Sequence, residues 1–421
     1  MKNVLFEALE KIKPKNEEMK LIDSELQKFL AKINSRIKKL KIDADVFVGG
    51  SFAKKTLVKK KFYDADLFLR FGKKYSESEY SKLSVKIMKP FKNISVAHGS
   101  RDYFRLKVNS RLFFEIVPVK KIKKPSEAVN ITDLSYSHAN YVKRKVRDGK
   151  ISDGIKLAKA FAEGAGVYGA ESYVSGFSGY SLELLIYHFK SFENFLKVLS
   201  KKHSGKIIVD IEKSYKNGNV LLDMNGSKLD SPIILVDPTY KARNALAALS
   251  SETYEKFRTS AAKFLKNPSV KFFEPKKIDF LAERLKAKNK KQDFIQIKIS
   301  TKKESGDVAG TKLLKFFNFA SSEIGKYFYV MKKDFEYGGE KTGQGYFILK
   351  SRREIILNGP SADDKKNATR FKKEHGKVFE KKGKIYSIKK INFSGREFLS
   401  RWLSANKRKV KEMSISGVEI Y

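Results

Sequence analysis

The chain has 421 residues and a formal net charge of +42, from 89 lysines and arginines against 47 aspartates and glutamates. It has no cysteine, which excludes disulfide bonds and thiolate metal sites and leaves oxygen ligands as the expected metal chemistry. The length predicts about two to four domains, and the lack of a long apolar run or signal peptide predicts a cytoplasmic protein without membrane contact. A charge surplus spread along the whole chain favours a polyanionic partner such as nucleic acid over a general bias towards lysine.

The N-terminal part of the chain predicts helices followed by a sheet. Apolar residues between Val4 and Leu40 recur at helical spacing, which predicts two helices interrupted near Pro14. Short apolar runs and one amphipathic stretch follow, and they predict a mixed sheet flanked by helices. The strands are expected at 45–48, 65–71, 94–97, 103–108 and 112–119, and the helix at 77–88.

The rest of the chain alternates between basic and apolar segments. Residues 120–150 are basic and poor in apolar side chains, so they are expected to be a crossing segment. Residues 151–199 predict helices around a glycine-rich turn. Later strands are expected at 207–211, 232–236, 294–299, 326–331, 345–349 and 384–388, and helices at 244–265, with Arg243 at its start, and 363–374. The stretch KTGQGYF at 341–347 is typical of a basic hairpin or, as an alternative, of an RNA-recognition strand with stacking aromatics.

The segment from Gly49 carries the first candidate site. Gly49, Gly50 and Ser51 follow the first strand, and such small residues let backbone N–H groups approach and cradle a phosphate. The next strand carries Asp64 and Asp66, which share one face because a strand reverses its side chains at every residue. Two carboxylates on one face repel each other unless a cation lies between them. The alternative is a solvated turn with two acids at a strand start.

A third acid, Glu115, stands alone in the strand-like run RLFFEIVPV. Burying an unpaired carboxylate there is costly, and a metal ion would offset the cost. The alternative is that Glu115 faces solvent or pairs with a lysine. Together with the glycine turn and the aspartate pair, Glu115 predicts a two-metal phosphoryl-transfer site. One Mg²⁺ would activate a hydroxyl group and the other would hold a triphosphate.

These motifs resemble the signature of the nucleotidyltransferase superfamily that includes DNA polymerase beta. Two later segments, GVYGAESYVSGFSGYSLELLI (166–186) and VDPTYKARNALAALS (236–250), resemble the archaeal class I CCA-adding enzymes, a family of tRNA nucleotidyltransferases. The resemblance is close up to the second segment and general beyond it. It implies an α+β multidomain fold. The expected domains are a nucleotidyltransferase head with a mixed sheet and helices (1–144), a helical neck (145–230), an α/β body (231–290 and 380–421) and a tRNA-binding tail (291–379).

The resemblance also implies roles for individual residues. Asp64, Asp66 and Glu115 would be catalytic and would hold two Mg²⁺ ions. Nucleotide-binding roles are implied for Gly50, Ser51, Lys54, His138, Lys159, Tyr168 and Arg243, with Arg243 reading the base and Lys54, Lys159 and Tyr168 contacting the triphosphate. The sequence departs from the family at three positions, since Glu is commoner at 64, Arg at 54 and Asp at 115.

Without the resemblance, blander interpretations stand for four of these residues. His138 would be incidental and Lys159 a solvated helix lysine. Tyr168 would be a turn aromatic packed on its neighbours, and Arg243 would pair with Asp237.

The function implied is the addition of C, C and A to the 3′ end of tRNA from CTP and ATP. The expected partners are tRNA, contacted at its acceptor stem and T arm, ATP and CTP, with a homodimer left open. Two alternatives remain at this point. One is another RNA 3′-nucleotidyltransferase, adding poly(A) or only CC. The other is a basic RNA-binding protein with a vestigial site, against which the intact carboxylates argue.

Overall fold

The computed structural model describes residues 1–97, 101–215, 219–275, 277–302 and 306–421. It divides into two compact units, Met1–Lys276 and Lys277–Tyr421. The mixture of helices and several sheets confirms the expected α+β multidomain fold. The finer division into head, neck, body and tail stays a prediction. Among the helices in these described ranges, none is both long and apolar enough to cross a membrane.

The first unit opens with the two predicted helices, α1 (Lys2–Ile12) and α2 (Asn16–Lys39), separated at Pro14. The carboxylate of Glu18 accepts a hydrogen bond from the Lys15 backbone N–H at 2.9 Å, which caps the start of α2. The buried face of α2 repeats at helical spacing and packs against the sheet that follows. It consists of Ile22, Leu26, Phe29, Ile33 and Ile37.

The sheet confirms the predicted strands to within a few residues. Its order is β1-β2-β5-β4-β3, and β2 runs parallel to β5 while the other pairs are antiparallel, so the sheet is mixed as predicted. Its elements are β1 (Ala44–Val48), α3 (Gly50–Ala53), β2 (Tyr63–Phe71), α4 (Glu77–Met88), β3 (Ile94–Ala97), β4 (Tyr103–Lys107) and β5 (Leu112–Lys120). Ala65, Leu67 and Leu69 of β2 are buried in the core shared with α2. Alternation therefore turns Asp64 and Asp66 to the opposite face.

The crossing segment expected at residues 120–150 contains a helix that the sequence analysis did not predict, α5 (Ser135–Lys145). Ala139 and Val142 bury a narrow helical face there, which the many surrounding basic residues obscure in the sequence. The helices expected over 151–199 are confirmed around the glycine-rich turn. They are α6 (Gly149–Ala165), α7 (Gly179–Phe189) and α8 (Phe192–Leu199).

The expected helix over 244–265 begins later than predicted, at Ser251, and Arg243 lies in a strand. The Asn244 side chain explains the difference, since its Oδ1 accepts the backbone N–H groups of Leu235 at 3.0 Å and Leu246 at 2.9 Å. Such side-chain bonds compete with helix formation. The elements of this region are β6 (Ile207–Val209), α9 (Val220–Asp223), β7 (Ile233–Asp237), β8 (Tyr240–Asn244) and α10 (Ser251–Lys266).

The second unit contains two sheets, of order β10-β11-β9-β15 and β12-β14-β13. Its elements are α11 (Phe280–Asn289), β9 (Asp293–Ser300), α12 (Gly306–Gly325), β10 (Phe328–Tyr337), β11 (Thr342–Ser351), β12 (Glu354–Ser361), α13 (Lys365–His375), β13 (Val378–Lys381), β14 (Lys384–Lys390), α14 (Gly395–Ala405), α15 (Lys407–Glu412) and β15 (Gly417–Ile420). The stretch 341–347 enters β11, where Tyr346 and Phe347 are 1% and 0% exposed. These aromatics are core residues, so the alternative of a base-stacking strand is wrong.

Candidate active site

The glycine turn is held directly against the strand that carries the aspartates. The Gly49 backbone N–H donates to the Asp66 carbonyl oxygen at 2.9 Å. Gly50 has φ +63°, and a Cβ atom at this position would lie 1.7 Å from Asp66 Oδ2. Only glycine fits this close approach. The turn therefore brings its backbone and Ser51 beside the Asp66 carboxylate.

Asp64, Asp66 and Glu115 line one cavity of ≈ 210 Å³. Asp66 and Glu115 are direct partners across the parallel strands β2 and β5, and Asp64 precedes Asp66 on the same face. Ser51, Lys159 and Tyr168 line the same cavity. The structure thus brings together six of the residues that the sequence singled out.

The cavity brings the acidic side chains of β2 and β5 together. Burial raises the pKa of Glu115 to about 7, and repulsion from Asp64 and Asp66 adds to the effect. Burial also raises the pKa of Asp66, although the Lys54 ammonium group opposes the shift. Carboxylates held in this way are stabilised by a cation placed between them.

Arg105 of β4 is one such cation, and sequence reasoning missed it. Its Nη2 donates to Asp64 Oδ1 at 3.1 Å, and its Nε lies 3.6 Å from Glu115 Oε1. Arg105 is the register partner of Glu115 across β4 and β5, so it could have been found only once that strand pairing was known. The arginine gives Asp64 and Glu115 a shared cationic neighbour in this conformation.

The donor set fits a hard divalent cation, because carboxylate oxygens are the ligands that Mg²⁺ prefers. Burial, together with the neighbouring Asp64 and Asp66, raises the pKa of Glu115, and a cation at this position would stabilise its charged form. Within the described ranges, however, no three His, Asp or Glu side chains already stand in a metal-holding cluster. Asp64, Asp66 and Glu115 are the residues of this cavity that could hold such an ion.

Lys54 and Lys159 share a buried carboxylate, Glu183, that sequence reasoning missed. Lys54 Nζ donates to Glu183 Oε2 at 2.6 Å, and Lys159 Nζ donates to Oε1 at 2.9 Å. Lys159 is 4% exposed, so its interpretation as a solvated lysine is wrong. Lys159 lines the carboxylate cavity, whereas Lys54 is not among its lining residues. A lone acid in the apolar run of α7 was the available signal.

Tyr168 lies in the turn after α6 and lines the carboxylate cavity. Burial raises its pKa, which keeps the phenol protonated and able to donate a hydrogen bond. The ammonium group of Lys60 lies 5.8 Å from the centre of its ring. Tyr168 is therefore packed on its neighbours and faces the cavity at the same time.

His138 and Arg243 meet at a second buried carboxylate, Asp237, which is 0% exposed. His138 Nε2 lies 2.9 Å from Asp237 Oδ2, and Arg243 Nη1 donates to the same oxygen at 2.8 Å. Tyr180 donates to Oδ1 at 3.1 Å and stacks on the His138 ring at 4.2 Å between centres. The pairing of Arg243 with Asp237, the alternative raised above, is therefore present. The cluster also fixes the ring of His138, whose role in nucleotide binding stays a prediction.

The charged groups of this cluster shift one another's pKa values. Burial opposes ionisation of Asp237, yet its contacts with His138 and Arg243 hold its pKa well below the usual range. Burial lowers the pKa of His138, with Asp237 opposing the shift, and the charge of Lys54 also lowers it. The electrostatic influence of Lys54 on both His138 and Asp66 indicates that the His138–Asp237 cluster and the carboxylate cavity are neighbours.

Comparisons with known proteins agree on one family. A family model described as "tRNA nucleotidyltransferase, second domain" matches residues 153–274. The chain is 32% identical over 362 residues to the CCA-adding enzyme of Nanoarchaeum equitans, covering 83% of this chain and 85% of that protein. It is 29% identical over 409 residues to the CCA-adding enzyme of Methanocaldococcus jannaschii, covering 94% of this chain and 88% of that protein.

Solved structures show the fold independently of close sequence similarity. The Cid1 poly(U) polymerase with MgGTP bound matches with a TM-score of 0.50 and 14% identity, over 65% of this chain and 98% of that chain. Another Cid1 structure, described by its RNA terminal uridylyl transferase activity, matches with a TM-score of 0.50 and 12% identity, over 65% of this chain and 97% of that chain. At such identity the likeness concerns the nucleotidyltransferase fold alone.

Proposed function

The chain belongs to the family of CCA-adding enzymes, the tRNA nucleotidyltransferases, and from this membership we propose that it adds C, C and A in succession to the 3′ end of tRNA. CTP and ATP are the substrates, pyrophosphate is released, and no nucleic-acid template is used. The observation that carries the proposal is the single cavity lined by Asp64, Asp66 and Glu115 beside the glycine turn.

The carboxylates Asp64, Asp66 and Glu115 would hold two Mg²⁺ ions. When bound, the ions would lower the pKa of the tRNA 3′-hydroxyl and neutralise the triphosphate charge. Ser51 and the backbone N–H groups after Gly50 bind the triphosphate, because the turn presents them beside Asp66. Tyr168 contacts the phosphates from another side of the cavity, where Lys159 contributes positive charge, and Lys54 adds further positive charge.

The base of the incoming nucleotide is read by the cluster around Asp237. Asp237 holds the guanidinium of Arg243 and the imidazole of His138 in fixed positions. A planar fork of donors suits a cytosine or adenine edge better than a lysine would. Both residues are therefore assigned to nucleotide selection, together with the bound RNA itself.

The tRNA is bound mainly through its phosphates at the acceptor stem and T arm. The net charge of +42 supplies the electrostatic attraction, which carries no sequence information. Recognition then rests on the shape of the duplex and the position of its 3′ end. A homodimer in the cytoplasm is compatible with these features, and size-exclusion chromatography would determine the oligomeric state.

Product length on tRNAs lacking one, two or three 3′ nucleotides tests the proposal. The protein is incubated with Mg²⁺ and with CTP and ATP singly and together, and the products are sized on a sequencing gel. We expect CTP alone to stop after restoring CC, and ATP to add one A only to a tRNA ending in CC. Repeated A addition would indicate poly(A) synthesis, and a stop at CC with both nucleotides present would indicate CC-only addition.

A further inference from the structure

Glu183 lies where two lysines from distant parts of the first unit converge. It occupies the apolar helix α7, and its side chain is 0% exposed. Lys54 directly follows α3, the short helix that starts at Gly50, whereas Lys159 lies in α6. The two ammonium groups donate to different oxygens of the Glu183 carboxylate, at 2.6 Å and 2.9 Å. One carboxylate thus fixes both cations and ties the turn segment to the helices.

Thr56 completes the arrangement. Its Oγ1 donates to Glu183 Oε1 at 2.8 Å and accepts from Lys159 Nζ at 2.9 Å, while its carbonyl oxygen accepts from Lys159 Nζ at 3.3 Å. The Lys159 ammonium group therefore uses all three of its N–H donors within the protein. A group bonded in this way has a defined position before any ligand arrives.

The balance of charge explains why the carboxylate is needed. Lys159 is buried, and burial lowers its pKa while Glu183 opposes the shift. In return, Lys159 and Lys54 hold the pKa of Glu183 at about 2 despite its burial. Two ammonium groups against one carboxylate leave one net positive charge beside a cavity that Lys159 lines. The other titratable groups that line this cavity are Lys60, Tyr63, Asp64, Asp66, Glu115, Glu163 and Tyr168.

We propose that Glu183 is a positioning residue for the triphosphate of the incoming nucleotide: it holds the ammonium group of Lys159 at the wall of the carboxylate cavity and fixes that of Lys54 on its other oxygen. The inference rests on the proposed function, which assigns the triphosphate to these lysines. Cations fixed before the substrate binds cost no reorganisation when it arrives. Glu183 itself does not touch the substrate in this arrangement.

The competing explanation is that Glu183 only stabilises the fold, as a buried ion pair between α6, α7 and the turn segment. A purely structural role would lower the stability of the protein without changing the affinity of the folded fraction for triphosphate. A positioning role would weaken nucleotide and pyrophosphate binding in molecules that are fully folded. The two explanations therefore differ in a binding constant measured on folded protein.

The test compares Glu183→Gln with wild type in the full-length chain. Glutamine keeps the volume and the capacity to bond Thr56, but it removes the charge that holds the two lysines. KM for CTP and ATP, kcat, and the inhibition constant of pyrophosphate are measured on trimmed tRNA, with folding checked by circular dichroism. We expect KM and the pyrophosphate constant to rise together by about tenfold or more, with a smaller change in kcat.

A matched control is Glu212→Gln, which removes a carboxylate that bonds Tyr141 at 2.6 Å and pairs with Lys145 at 2.9 Å, outside the carboxylate cavity. It should leave both constants unchanged. If Glu183→Gln does not fold, Glu183→Asp provides the test instead. Aspartate keeps the charge but is shorter by one methylene group, so it should hold the two lysines less well and KM should rise in this variant too. Constants within about twofold of wild type in the folded Glu183 variant overturn the inference, whereas a wild-type protein that does not extend tRNA overturns the proposed function instead.

Discussion

Asp66 of β2 and Glu115 of β5 are register partners in adjacent parallel strands, so their side chains lie on the same face of the sheet. The other face of β2 is buried under α2, and alternation therefore turns the acids towards the cavity. Burial and mutual repulsion raise the pKa of Glu115 to about 7 as a result. Keeping these carboxylates ionised without a nearby cation costs free energy, so the site is suited to binding a cation.

Replacing Gly50 by alanine should disable the site. The new Cβ would lie 1.7 Å from Asp66 Oδ2, and the residue would have to keep φ near +63°. The left-handed conformation alone costs about 1–2 kcal/mol, and displacement of Asp66 should lower kcat by about a hundredfold. Steady-state incorporation of labelled CTP into trimmed tRNA measures the effect.

Gly149→Ala is the control for that experiment, because nothing lies within 4 Å of the Cβ it would add. It should show wild-type incorporation. Full activity in Gly50→Ala would mean that the turn does not set the position of Asp66.

Asp237→Asn should destabilise the protein in a pH-dependent way. His138 and Arg243 hold the pKa of Asp237 well below its unfolded value of about 4, so the carboxylate stabilises the fold above that pH and loses its contribution on acidification. At pH 7 the variant should lose about 3 kcal/mol of unfolding free energy, because Arg243 keeps its charge without a partner. Urea unfolding at pH 7 and pH 3 should show the difference shrinking at the lower pH; a deficit of equal size at both would contradict this explanation.

Arg243→Lys should change nucleotide choice more than rate. Lysine keeps the charge that Asp237 neutralises, but it loses the planar fork of donors. Discrimination of CTP against UTP should fall by about tenfold, since one bidentate contact contributes about 1–3 kcal/mol of selectivity. Competition between CTP and UTP for incorporation gives the ratio, and an unchanged ratio would remove Arg243 from base selection.

The affinity for tRNA should depend steeply on salt. With a net charge of +42, binding should be dominated by the release of counterions from RNA phosphates. Affinity should therefore fall by about a thousandfold between about 50 and 200 mM KCl. Filter binding at several salt concentrations, with circular dichroism to confirm that the fold is unchanged, measures the slope. A nearly flat dependence would argue against recognition through phosphates.

Strand alternation was sufficient to predict that Asp64 and Asp66 share a face, because that inference needs only local geometry. The pairing of Asp66 with Glu115 needed the parallel register of β2 and β5, which no local pattern fixes. Arg105 was missed for the same reason, since it reaches the acids only through the pairing of β4 with β5.

Sequence reasoning missed Glu183 for a different reason. The reasoning applied to Glu115, that a lone acid among apolar residues implies a buried partner, applies equally to the acid in the apolar run of α7. The partners of Glu183 lie 129 and 24 residues away in sequence, so the pattern could flag the residue but not identify them. Sequence reasoning placed Arg243 at the start of a helix, whereas it lies in β8. The hydrogen bonds of the Asn244 side chain at the end of β8 favour the strand, and the amino-acid composition does not reveal them.

The central claim is that Asp64, Asp66 and Glu115 act as one metal-binding catalytic set. The most direct measurement is incorporation of labelled CTP and ATP into tRNA lacking its 3′ end by the double variant Asp64→Ala, Asp66→Ala, with tRNA binding measured in parallel. We predict that incorporation is lost while tRNA binding is retained, and that EDTA abolishes the wild-type reaction until Mg²⁺ is restored. Incorporation that survives in the double variant would contradict the assignment of these carboxylates.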